Sequence, residues 1–134
     1  GAAAERFGRM VAAQGGPPGF VEQAARYLPQ ADVVLEVTAT DAGYVSAIDG
    51  EALGFAVVSL GGGRQVETDV IDPAAGLSDI VALGCRIAPG DVLARVHAAR
   101  SEQAEVTADR ICAAIRLSAG APELAPLICD RIMR

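Results

Sequence analysis

The sequence predicts an α+β fold in which helices pack against a largely antiparallel sheet. Stretches with helical spacing are interleaved with short β-branched runs, Gly and Pro punctuate the junctions, and 51% of the 134 residues are apolar, enough to form a core. Three Phe, two Tyr and no Trp mean that this core has to be assembled from Ala, Val, Leu and Ile.

The elements follow in order. Ala4 to Gln14 has Phe7, Met10 and Val11 at helical spacing, and Gly15-Gly16-Pro17-Pro18 stops it. Phe20 to Leu28 reads as a second short helix ended by Pro29. Together they form a helical lead-in, residues 1–30, to a domain spanning 31–134. Val33 to Ala39 reads as a strand, Asp41-Ala42-Gly43 as a turn and Tyr44 to Ile48 as its hairpin-like partner, with Tyr44, Ser46 and Ile48 on one face. Asp49 can cap a helix whose stripe is Leu53, Ala56, Val57 and Leu60, and Gly61-Gly62-Gly63 ends it.

Val66 to Ile71 reads as a short, partly exposed strand, and Leu77 to Leu83 as strand or short helix, because periodicity does not decide. Ala88-Pro89-Gly90-Asp91 is a tight turn. It opens a strand to Ala98, with Val92, Ala94 and Val96 facing one way and Leu93, Arg95 and His97 the other. Ser101 is expected to cap the longest helix, which runs to about Ala119 with Thr107, Ile111, Ala114 and Ile115 inward. Leu127 to Ile132 reads as a final strand.

Composition excludes several functions. Seventeen acids stand against eleven bases, all Arg, for a net charge of −6. Such a chain lacks the basic patch that a general nucleic-acid binder needs. Cys85, Cys112 and Cys129 are too widely spaced for a zinc pair and are expected to be buried, reduced thiols. No signal peptide and no run of ~18 apolar residues is visible, so a cytoplasmic location and no membrane partner are expected. The chain begins Gly-Ala-Ala-Ala, without Met or a cap residue, and is expected to be a piece of a longer protein.

The chemistry-bearing signals are sparse. Gly61-Gly62-Gly63-Arg64 follows a helix, whereas phosphate-cradling loops precede one, so a helix stop is the first reading and an interdomain or anion-contact loop the second. His97, the single imidazole, has no nucleophile or orienting group identifiable beside it, and Ser59, Ser78 and Ser101 lack the setting of an activated nucleophile. No catalytic, cofactor-binding or metal-ligating residue is assigned, and no cofactor is expected.

Two resemblances add to this. Asp41-Ala42-Gly43-Tyr44-Val45 and the stretch Gly84 to Leu93 resemble the two halves of biotinyl and lipoyl carrier domains. Without Lys the chain cannot carry such a cofactor. What remains is an expected α/β-hammerhead related to the barrel-sandwich hybrid, or a non-catalytic binding module of that shape. More extensively, Arg9-Met10-Val11-Ala12-Ala13-Gln14-Gly15-Gly16-Pro17, Tyr27-Leu28-Pro29, Gly43-Tyr44-Val45-Ser46, Ala52-Leu53-Gly54 and Ala56 to Arg64 resemble the pyrimidine-nucleoside phosphorylases. Ile71-Asp72, Gly76, His97-Ala98 and Arg131-Ile132 continue the likeness in order.

The resemblance covers the last third or so of that family's usual length and lies closer to its thymidine-cleaving branch than to its broader-specificity members. It implies a C-terminal domain of a two-lobed, dimeric enzyme. That enzyme converts thymidine and phosphate to thymine and 2-deoxyribose 1-phosphate in a cleft between the lobes. The groups that hold base and phosphate, among them a Lys, lie upstream of Gly1, so this chain alone is expected to be inactive and to associate with upstream lobes or with itself.

Overall fold

A computed structural model describes residues 1–126, 128 and 130–133. It contains two compact units, Gly1–Gln30 and Ala31–Arg134. The first holds α1 (Ala2–Ala13) and the single turn α2 (Ala24–Tyr27). Phe20 links them: its ring meets Phe7 edge-on at 6.1 Å and stacks on Tyr27 at 6.3 Å. Helix was expected from Phe20 onward. Residues 17–23 instead form turns, in which Phe20 N–H donates to the Pro17 carbonyl and Gln23 N–H to that of Gly19.

The second unit encloses its core between two three-stranded antiparallel sheets. One has the order β1 (Val33–Thr38), β5 (Val92–Ala98), β3 (Gly76–Ser78). The other has the order β4 (Arg86–Ile87), β2 (Gly43–Ile48), β6 (Ile115–Ser118). The expected hairpin between β1 and β2 does not form. Beyond β1 the chain stays tied to the β5 side, through Ala39 N–H to the Asp91 carbonyl and Gly90 N–H to that of Ala39. It then crosses to the other sheet, which lets Val37 and Val45 bury into one core from two sheets rather than lie side by side.

Two bulges break the simple alternation. β1 and β5 shift register between Val37, paired with Ala94, and Thr38, paired with Val92, leaving Leu93 unopposed. Leu93 is therefore buried beside Ala94, where strict alternation would have turned it outward. β2 and β6 shift between Val45 and Ala47, so that Val45 is fully buried while Ala47 is exposed. Ser46 sits at the shift and donates to the Arg116 carbonyl at 3.1 Å.

α3 (Gly50–Val57) starts as its sequence dictates: Asp49 accepts from Ala52 N–H at 2.9 Å, and Leu53, Ala56 and Leu60 are buried. α4 (Ser101–Ala114) packs on α3, β1 and β5 through Ala104, Thr107, Ile111 and Ala114. Its Ala104 and Ala114 share one alanine-rich core with Ala94 and Ala98 of β5. The capping position belongs to Arg100, whose backbone is extended, and its side chain makes no capping bond; Ser101 is already helical. The helix stops five residues early because Ile115 turns extended and pairs with Ile48, so sheet pairing overrides helical continuation.

Other expectations fail for local reasons. Residues 66–71 are not strand: 67 and 68 form a turn, across which the Asp69 carboxylate accepts from Gln65 and Val66 N–H at 2.9 and 3.1 Å. The stretch 77–83 is strand only to Ser78, where Asp79 takes a left-handed φ of 51°. Cys85 and Cys112 are exposed rather than buried, and Cys129 lies outside the described residues. Of the expected strand at 127–132, Leu127 also lies outside them, and 128 and 130–132 are not strand.

Candidate functional site

The Gly-rich stop is built by close approach. α3 continues into a wider π turn, Val58–Gly62, within which Gly61 has φ 95°. The Gly61 carbonyl accepts from Asp72 N–H at 2.9 Å, which brings the chain back across the turn. A Cβ on Gly62 would stand 2.7 Å from the Ala75 carbonyl oxygen and 2.8 Å from Val57 Cγ1. One on Gly63 would stand 2.8 Å from Val58 Cγ2. The glycines thus serve packing.

Arg64 follows them, exposed and without an ion-pair partner among the described residues. The next two N–H groups, of Gln65 and Val66, are already taken by Asp69, so an anion placed on them would meet a carboxylate.

The structure places His97 where sequence reasoning found no partner. Its Nε2 shares a 2.8 Å hydrogen bond with Ser78 Oγ, contributed by the neighbouring strand β3. Asp79 follows, 3.3 Å from the same hydroxyl and 2.6 Å from Arg95 Nη1. Arg95 in turn gives Nε and Nη2 to Glu36 at 3.0 and 2.9 Å. Hydrogen bonds to Glu36 first and Asp79 second raise the guanidinium above its already high pKa.

This chain of groups crosses three strands, and its signal in the sequence was only the outward alternation of Arg95 and His97. Its order does not suit nucleophilic catalysis. The acid touches the serine rather than orienting the imidazole, and the Arg is consumed by two carboxylates. Ser59, for its part, donates to the Phe55 carbonyl and accepts from Arg110 at 2.7 Å, tying the end of α3 to α4.

The cavities are shallow. One, of about 540 Å³, opens beside Tyr44, Arg86 and Asp91, and another of about 430 Å³ lies between Thr40, Cys112 and Leu117. Neither gathers several charged donors on one point. Among the described residues no group of three His, Cys, Asp or Glu side chains is placed to hold a metal ion, and no helix is long and apolar enough to cross a membrane.

Comparison with known proteins sets this geometry in context. A family model described as the pyrimidine nucleoside phosphorylase C-terminal domain matches residues 44–118, from β2 through β6. A thymidine phosphorylase of Agrobacterium fabrum (strain C58) is 44% identical over 132 residues, which is 98% of this chain. The chain spans 30% of that relative's length.

Proposed function

The chain belongs to the pyrimidine nucleoside phosphorylase family, and from that membership we propose that it is the C-terminal structural domain of a thymidine phosphorylase. In this reading residues 1–30 are a helical lead-in from the α/β lobe of the parent, and residues 31–134 are the C-terminal domain proper. The parent converts thymidine and phosphate to thymine and 2-deoxyribose 1-phosphate, as a cytoplasmic homodimer. The observation that carries the reading is the 44% identity to a thymidine phosphorylase across nearly the whole of this chain.

The chemistry agrees with a supporting role. Phosphorolysis has to neutralise a phosphate and stabilise a sugar with oxocarbenium character, and both need converging preorganised donors. Arg64 has no ion-pair partner among the described residues, and Arg95 is neutralised by Glu36 and Asp79. One exposed guanidinium contributes far less than the roughly 8 kcal/mol of barrier lowering at the low end of enzymatic catalysis.

The test is turnover. The full-length gene product is expected to release thymine from thymidine in phosphate buffer, with uridine a poorer substrate, and the 134-residue chain to release none. Thymine release by the short chain refutes the structural assignment. Equal use of uridine moves the parent to the broader-specificity branch.

A further inference from the structure

The loop after the Gly-rich stop is firmly tied yet presents apolar side chains to water. Asp69 holds Gln65 and Val66 by their N–H groups, its own N–H donates to the Val66 carbonyl at 3.1 Å, and Asp72 anchors the far end on Gly61. On this short loop Val66 is 58%, Val70 93% and Ile71 42% exposed. Arg64, at its start, has no ion-pair partner among the described residues. Aliphatic side chains concentrated on a tied loop mark an interaction surface.

We propose that residues 64–71 are the surface by which this domain docks onto the rest of the phosphorylase polypeptide, Val66, Val70 and Ile71 entering an apolar depression there and Arg64 meeting an acceptor at its rim. The proposal rests on the reading of the chain as one domain of a longer enzyme. Two arguments select that occupant. The chain spans 30% of its thymidine phosphorylase relative, so the larger share of such a protein is available as a tethered neighbour. Tethering makes docking intramolecular, so a small patch suffices, whereas a stable contact with a second copy needs roughly 1,200 Å² or more of buried surface. A small anion is disfavoured because Asp69 already occupies the neighbouring N–H groups.

Hydrogen exchange read by mass spectrometry tests this, comparing peptides over 64–71 in the full-length gene product and in the 134-residue chain. Exchange is expected to be slower by roughly tenfold or more in the full-length protein, and Val70→Glu to remove that protection. Val70 is nearly fully exposed, so this substitution leaves the domain's own core untouched. Equal exchange in the two proteins overturns the proposal, as does protection of the short chain that grows with its concentration, which assigns the loop to a second copy. Thymidine phosphorolysis measured on the same full-length sample separates the two readings. Activity with an unprotected loop sinks the docking alone, and protection without activity upholds docking while sinking the parent assignment.

Discussion

Gly62 lies so close to Ala75 that a Cβ on the glycine would come within 2.7 Å of the alanine carbonyl oxygen. Backbone cannot yield there without moving the Gly61–Asp72 crossing, on which the loop at 64–71 depends. Gly62→Ala is therefore expected to cost about 1–3 kcal/mol, the usual range for overpacking. Gly50→Ala, where a Cβ meets nothing within 4 Å, serves as the control and is expected to be neutral or slightly stabilising. Urea unfolding of both variants decides, and equal midpoints would remove the packing account of the glycine run.

Asp79 offers a second test, because its left-handed φ of 51° and its contact with Arg95 pull in different directions. The ion pair is more than two-fifths exposed on either side, so water screens it and its loss is expected to cost little. Asp79→Gly loses the pair but gains backbone freedom, and is expected to stay near wild type. Asp79→Ala loses both the pair and the tolerance for positive φ, and is expected to fall below the Gly variant by about 1 kcal/mol. Indistinguishable Ala and Gly variants would show that the backbone at this position is not held left-handed in solution.

The start of α3 provides the simplest energetic check. Asp49 Oδ1 accepts from Ala52 N–H at 2.9 Å, satisfying one of the donors left free at the helix start. Asp49→Ala is expected to destabilise the domain by about 1 kcal/mol, and Asp49→Ser to recover most of that loss. Failure of Ser to rescue would mean that the carboxylate acts through charge rather than as a cap.

What could be read in advance followed locality. The α3 stripe, its Asp49 cap and the turn at Gly90 were legible because each depends on neighbours within one or two turns of chain. Strand pairing was not. β1 finds β5 about sixty residues away, and nothing near Thr38 announces that the chain will change sheets. The bulges at Leu93 and Ser46 were equally hidden, since a one-residue shift leaves the alternating pattern intact in sequence while reversing which side chains face inward. The Ser78–His97 contact depends on that long-range pairing, so its two partners could be noted but not joined. The family likeness was legible because a contiguous run, Ala56 to Arg64, carried it; the apolar exposure of the following loop needed coordinates.

The thiols give the sharpest contrast between neighbours. Ile111 and Cys112 are consecutive on α4, and a rotation of about 100° separates a fully buried side chain from an exposed one. Cys112→Ser is accordingly expected to change stability by no more than about 0.5 kcal/mol, as for other surface substitutions. Ile111→Ala should cost about 2–5 kcal/mol, because it opens a cavity in the buried cluster that also holds Ala104, Ala114 and Val96. Native-state labelling with a thiol reagent, followed by peptide mapping, is expected to modify Cys85 and Cys112 without unfolding the chain. Labelling of Cys112 only after denaturant is added would mean that the helix is turned the other way, with the thiol in the core and the isoleucine displaced from it.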